Sequence, residues 1–315
     1  MKHVEVTDYK NGIYNVDSGY EGGGVASIYI ARDSGRAAII DTAHNAAIEP
    51  MRAAMRELGI SGGDVDYIFI THVHLDHVGG AGIFANEFPN SRVVVHKRGA
   101  RHLINPEKLV KGATDVYGEE TMERLYGTVL PVPEDRIDIP EDGDEFRVGG
   151  RTIICMDTPG HARHHMAYHD ADTNSVFTGD SFGMSYLELR RPDNIGVMLT
   201  TSPVQFDPEA MRSSMKRIEA LGPEFLYPTH FGQMPCDDDV KSSLYRQIDR
   251  FVELAENTDG DLPKIREGFK KLFAKERDIQ NCPCFTDESC RLMGIPMELN
   301  AQGLAIWYAK DRNRK

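Results

Sequence analysis

Long apolar runs are missing from this sequence. Runs such as Tyr67 to Ile70 are strand-sized, whereas a bilayer-spanning helix needs about 20 such residues. Basic residues are also short, with 36 Lys and Arg against 49 Asp and Glu and a formal net charge of -13. That balance repels phosphate backbones and anionic bilayers, so neither a nucleic-acid nor a membrane partner is expected. Cysteine is scarce and odd in number, with 5 in 315 residues, and a chain of this size does not need staples, so free thiols are expected. Cys282, Cys284 and Cys290 lie close together, but the fourth ligand and the two-residue spacing of a zinc or cluster site are absent, and their role is not legible. The start of the chain, Met1, Lys2, His3, Val4, Glu5, has an acid early and no apolar stretch after a basic region. This is unlike a secretory signal, and a cytoplasmic location is expected. Gly22 to Gly24 lack the spacing and following helix of a dinucleotide loop and are read as a turn.

What is present is an ordinary globular composition, 40% hydrophobic and 27% charged. Roughly the first two-thirds alternates short β-branched runs with helical stretches, the pattern of sheets covered by helices. Strands are expected at Ser27 to Ala31, Ala37 to Ile40, Tyr67 to Ile70, Arg92 to His96, Thr152 to Met156, Ser175 to Thr178 and Phe225 to Pro228. Helices are expected at Ala46 to Leu58, stopped by Gly59, and at Pro208 to Leu221, capped by Asp207 and closed by Gly222. Val148 to Arg151, with two central glycines, resembles a hairpin. From Asp238 the texture becomes polar, helical and strand-poor, apart from the more apolar Gly303 to Ala309. The expected organisation is a catalytic domain over residues 1–235 and a helical extension over 236–315, serving as a cap or a dimerisation surface.

The segment Thr71, His72, Val73, His74, Leu75, Asp76, His77 directly follows the apolar run Tyr67 to Ile70. Three histidines this close in a core would each need a hydrogen-bond partner, whereas a strand ending in a loop can aim them all at a cation. Imidazole nitrogen and carboxylate oxygen suit zinc, iron or manganese, and the lack of a thiolate argues against a soft, purely structural site. The same placement recurs downstream: His161, Asp180 and His230 each sit just beyond an expected strand, where loops gather at one rim of a sheet. His72, His74, Asp76, His77, His161, Asp180 and His230 together are enough ligands for two ions.

These residues, in this order, resemble the metallo-β-lactamase-fold superfamily, whose hallmark is His-x-His-x-Asp-His followed by a lone His, an Asp and a final His. The resemblance covers about residues 10 to 235 and implies an α/β fold, an αββα sandwich of two sheets with outer helices, here with the helical C-terminal appendage. It further implies that His72, His74 and His161 bind one ion, that Asp76, His77 and His230 bind the other, and that Asp180 bridges them. Asp41, at the end of its strand, looks like the family's supporting acid, orienting a ligand histidine. Two divalent transition metal ions are expected, zinc foremost, with iron or manganese as the other choices. Such a pair lowers the pKa of bound water toward neutrality and supplies the nucleophile as a bridging hydroxide, with Asp76 orienting it or carrying a proton to the leaving group.

Three neighbours are candidate substrate contacts. His165 lies in the loop after His161, and Tyr186 and Arg190 lie in the long segment Ser181 to Thr200 that follows Asp180. His44 is read as an exposed loop residue. Departures from known branches narrow the chemistry. Asp180 stands where some zinc β-lactamases carry Cys, and His74 stands where flavodiiron proteins carry Glu. The basic glutathione-binding residues of hydroxyacylglutathione hydrolases are not evident. Gly183 stands where quorum-sensing lactonases place a Tyr. The expected activity is hydrolysis of a small ester, thioester, lactone or phosphoester. The alternatives are a mononuclear iron persulfide dioxygenase, or a low-turnover regulatory or binding protein of the same fold.

Overall fold

The computed structural model describes residues 6–282 and 293–312. Cys284 and Cys290 lie outside the described residues. The chain divides into two compact units, one formed by residues 1–157 and 164–179, the other by residues 158–163 and 180–315. The division therefore falls immediately after the strand that precedes Asp180, whereas the sequence reading places the boundary at 235.

The first unit holds a seven-stranded sheet whose strands follow chain order. These are β1 (Val6–Asp8), β2 (Ile13–Asp17), β3 (Ser27–Asp33), β4 (Arg36–Ile40), β5 (Val65–Phe69), β6 (Arg92–Val94) and β7 (Ile137–Asp138). Strands β1 to β4 pair antiparallel through tight turns, and β4 to β7 pair parallel. Parallel pairing requires crossovers, and helices supply them: α1 (Ile48–Leu58) before β5, α2 (Leu75–Val78) and α3 (Ala81–Glu87) before β6, and α4 (Lys97–Ile104), α5 (Glu107–Tyr117) and α6 (Glu119–Leu125) before β7. Helix α1 buries Ile48, Met51, Ala54 and Met55, one stripe at helical spacing, and stops at Gly59, whose φ of 63° is free of cost only for glycine.

Strands β8 (Glu145–Val148), β9 (Arg151–Asp157), β10 (Met166–Asp170) and β11 (Ser175–Gly179) form an antiparallel second sheet in the same unit. Its aromatic side chains meet those of the first sheet. The Phe69 ring lies 4.9 Å from Tyr168 and 5.5 Å from Phe146, and Tyr29 lies 5.6 Å from Phe177. This is the face-to-face packing of a sandwich, and alternating residues of β5 and β10 feed it. A buried ion pair closes one part of this unit. Arg151 bonds Asp170, with side chains 6% and 0% exposed, and also donates to the Asn11 carbonyl at 2.7 Å.

The second unit is mainly helical. It contains the short strands β12 (Arg190–Arg191) and β13 (Asn194–Ile195), helix α7 (Pro208–Glu219), the antiparallel pair β14 (Phe225–Pro228) and β15 (Met234–Pro235), and the long helices α8 (Asp238–Asn257), α9 (Leu262–Gln280) and α10 (Gly294–Arg312). Asp207 caps α7 by accepting from the Ala210 amide, as its sequence signal required. Helices α8 and α9 share an aromatic core of Phe251, Phe269 and Phe273, with Phe251 and Phe269 ring centroids 4.7 Å apart. Gly303 to Ala309, the more apolar stretch near the end, is part of α10. No helix among the described residues is long and apolar enough to cross a membrane.

Removing one partner of a buried ion pair strands the other charge, which costs about 3–5 kcal/mol. Asp170→Ala is therefore expected to lose roughly that much stability in urea unfolding. The double replacement Arg151→Met with Asp170→Leu, which strands no charge, is expected to lose clearly less.

Candidate metal centre

In the first unit, the parallel order β4, β5 places the carboxyl ends of these strands side by side. Asp41 and Thr71 follow them directly. The Asp41 amide bonds the Phe69 carbonyl at 2.8 Å, and its φ of 58° is a left-handed conformation that Asp tolerates better than most residues. The turn aims its fully buried carboxylate at the His72–His77 loop. One oxygen accepts from the Thr71 amide at 2.8 Å, and the other from the Thr71 hydroxyl at 2.8 Å and from His77 Nδ1 at 2.8 Å. Bonding at Nδ1 fixes the ring and leaves His77 Nε2 as the nitrogen available to a ligand.

The rest of the cluster is equally constrained. His72 Nε2 and His74 Nδ1 face each other at 2.9 Å, and the His72 and His77 ring centroids are 4.0 Å apart. Asp76 and His77 lie on the short helix α2, with Asp76 Oδ2 3.8 Å from His77 Nε2. The Asp76 side chain is 24% exposed, while those of His72 and His77 are buried. His165 is also fully buried and stacks on the His72 ring, with centroids 4.9 Å apart. Gly179 makes room there, because a Cβ at that position would lie 2.7 Å from His165 Nε2 and 2.8 Å from Thr71 Cβ. Burial, and then the charge of His74, push the His164 imidazole down to about 3, so that ring is neutral.

The second unit carries His161, Asp180 and His230, all buried. Asp180 Oδ2 lies 3.5 Å from His161 Nε2, and Oδ1 lies 3.9 Å from His230 Nε2. Both separations are longer than a hydrogen bond. Two donors each about 2.1 Å from one tetrahedral ion lie roughly 3.4 Å apart, so a carboxylate with one oxygen toward each of two imidazoles suits a bridging ligand. His161 Nδ1 meets the Thr200 hydroxyl at 2.8 Å, and its carbonyl accepts from Ser202 at 2.6 Å. The Tyr186 ring stands edge-on to His230 at 5.6 Å. Arg190 donates to the main-chain carbonyls of Ser185, Gln233 and Phe231, which pins the loop around His230.

Of the seven expected ligands, four lie together in the first unit and three in the second. Their donor set, five imidazoles and two carboxylates without thiolate, fits borderline divalent ions such as zinc, iron or manganese. His165 and Arg190, expected as substrate contacts, hold a ring stack and three carbonyl bonds here. One expectation changes, the exposure of His44. His44 is 7% exposed instead of lying open in a loop, its ring is 5.5 Å from that of Tyr20, and its Nδ1 has no hydrogen-bond partner.

Sequence reasoning missed three tyrosines that feel the Asp76 charge. Tyr20 and Tyr126 join hydroxyls at 2.6 Å. Burial first, and then the Asp76 carboxylate, push the phenols of Tyr20 and Tyr117 up. Burial likewise raises Tyr126, with Tyr20 and Asp76 adding to it. No motif marks these residues, and only the fold gathers them. Thr71 and Thr200 were also missed as supports, although Thr71 directly precedes His72.

A sequence model of the metallo-beta-lactamase superfamily matches residues 21–230. The chain belongs to that superfamily. Among its relatives, the metallo-beta-lactamase fold-containing protein ST1585 of Sulfurisphaera tokodaii is 31% identical over 172 residues, covering 53% of this chain and 61% of that protein. A hydroxyacylglutathione hydrolase of Erythrobacter litoralis is 28% identical over 200 residues, 63% of this chain and 59% of that protein. An atrochrysone carboxyl ACP thioesterase of Aspergillus fumigatus is 25% identical over 186 residues, 59% of this chain and 44% of that protein. The matches therefore span less than two-thirds of these relatives. The solved structure of the ST1585 protein superposes with a TM-score of 0.61 at 26% identity, covering 75% of this chain and 85% of that one.

Asp41→Ala would take the acceptor from His77 Nδ1 and the Thr71 amide, while the Thr71 hydroxyl keeps His72 Nδ1 at 3.2 Å. At about 1–3 kcal/mol for each buried group left unpaired, the metal-free protein is expected to lose about 2 kcal/mol or more in urea unfolding. Asp41→Asn, which keeps one acceptor oxygen, is expected to lose less.

Proposed function

We propose that His72, His74, Asp76, His77, His161, Asp180 and His230 together hold two divalent transition metal ions, zinc foremost, and that the protein is a hydrolase of small acyl compounds, esters and thioesters above all. The observation that carries this reading is Asp180, a buried carboxylate that offers one oxygen to each of two histidines. When bound, a pair of such ions lowers the pKa of water toward neutrality and polarises a carbonyl or phosphoryl oxygen.

The roles of the residues follow from their contacts. Asp41 fixes the tautomer of His77, and Thr200 holds the His161 ring at Nδ1, so both rings are oriented before an ion arrives. Asp76 keeps part of its side chain open, 24% exposed, which suits it to hand a proton to a departing alkoxide or thiolate. The phenols of Tyr20 and Tyr117, pushed up by burial and by the Asp76 charge, stay neutral. A hydrolase named for hydroxyacylglutathione and a thioesterase among the relatives support the acyl side of the substrate range. The net charge of -13 supports a small substrate over a nucleic acid.

Elemental analysis of the purified protein tests this together with an ester, thioester, lactone and phosphodiester panel. Two transition metal ions per chain, with chelator-sensitive turnover and no oxygen uptake, are expected. One iron per chain with oxygen consumption would instead make the protein a dioxygenase. Asp180→Ala is expected to lose both ions or nearly all turnover, while Cys284→Ala leaves both intact.

A further inference from the structure

The segment Val197–Ser202 in the second unit runs extended, and one of its edges is bonded by side chains in place of a strand. Met198 exchanges both main-chain bonds with Met184, at 2.8 and 2.9 Å, toward one side. The alternate residues face the other way, as strand periodicity requires. There they meet three carboxamides, each from a different C-terminal helix. Gln280 of α9 accepts from the Val197 amide at 2.7 Å and donates to its carbonyl at 3.0 Å. Gln247 of α8 accepts from the Leu199 amide and donates to the Val197 carbonyl, both at 2.9 Å. Asn300 of α10 accepts from the Thr201 amide at 2.6 Å and donates to the Leu199 carbonyl at 3.1 Å. Gly303, one turn after Asn300, lets α10 come close, since a Cβ there would lie 2.8 Å from the Ser202 carbonyl oxygen.

The clamped segment carries the two residues that hold His161, Thr200 on ring Nδ1 and Ser202 on the main-chain carbonyl. We infer that the C-terminal helices position His161: Asn300, Gln247 and Gln280 fix the segment whose Thr200 hydroxyl bonds the ring at Nδ1 and sets its angle, and so tune binding of an ion there. This goes beyond a cap or dimer surface for the helices, and its metal part rests on the proposed centre.

A purely structural clamp would affect stability alone, so the test reads the ring itself. In metal-free, 15N-histidine-labelled protein, His161 of the wild type and of Thr200→Ser is expected to show one ordered ring state with a single tautomer. Thr200→Val and Asn300→Ala are expected to show a mixture of tautomers. In metal titrations of the same samples, one ion is expected to bind about tenfold or more weakly in Thr200→Val and Asn300→Ala, with Thr200→Ser near wild type. Wild-type tautomer and wild-type affinities in both variants, with only a lower melting temperature, would overturn the inference. A wild type that takes up no metal would instead remove the proposed centre, and the tautomer measurement would still decide the clamp.

Discussion

The Asp41 carboxylate carries the constraint on which the first unit's cluster depends. A fully buried carboxylate is expensive unless its oxygens are satisfied, and the donors that satisfy it, the Thr71 amide and hydroxyl and His77 Nδ1, all belong to the loop that carries the ligands. The bonds that make the charge tolerable are therefore the same bonds that orient His77. The left-handed backbone at Asp41 fits this account. A residue held at φ 58° by the register of two parallel strands can aim its side chain across to the next strand end, which an extended residue at the same place would not do.

The second unit solves the equivalent problem without a charge. Thr200 on His161 is a neutral partner, so burial costs less, but a hydroxyl on a loop orients a ring only as well as the loop is fixed. The three carboxamides meet that need. Each offers one donor and one acceptor in a rigid plane, the pattern a peptide group would offer, and so can complete an exposed edge where no strand is available. Gln247 is fully buried and Asn300 is 2% exposed, which leaves neither amide free to turn away. The polar, strand-poor C-terminal sequence is thereby given work that its composition alone did not suggest.

How much of this could be read from the sequence depends on whether the signal was local. The strands after which Asp41, His72 and Asp180 fall are short runs of β-branched and aromatic residues bounded by turns, and the structure places them within a residue or two of expectation at β3, β4, β5, β9, β11 and β14. The helix over Ile48–Leu58 was legible for the same reason. Strand β2 and the helices α4 to α6 were not named, since their apolar residues are too few or too evenly mixed with polar ones to set a period. The compact-unit division was also hidden, because residues 158–163 join the second unit only through contacts distant in sequence, such as the Asp207 amide on the Gly160 carbonyl. In the site, ligand types in ordered spacing announced themselves. The tyrosines at 20, 117 and 126 could not, because nothing in a single sequence ties a phenol to a carboxylate some 50 positions away.

Asp76 also differs from the other carboxylates of the two clusters. Asp41 is locked by three donors, and Asp180 is buried between two imidazoles. Asp76 is instead partly open, and the groups that feel its charge are neutral phenols whose own ionisation it opposes. Access to water is what sets it apart, since a carboxylate closed off among its partners cannot meet a substrate's leaving group. The proposed reading therefore gives proton transfer to Asp76 and geometry to Asp41 and Asp180.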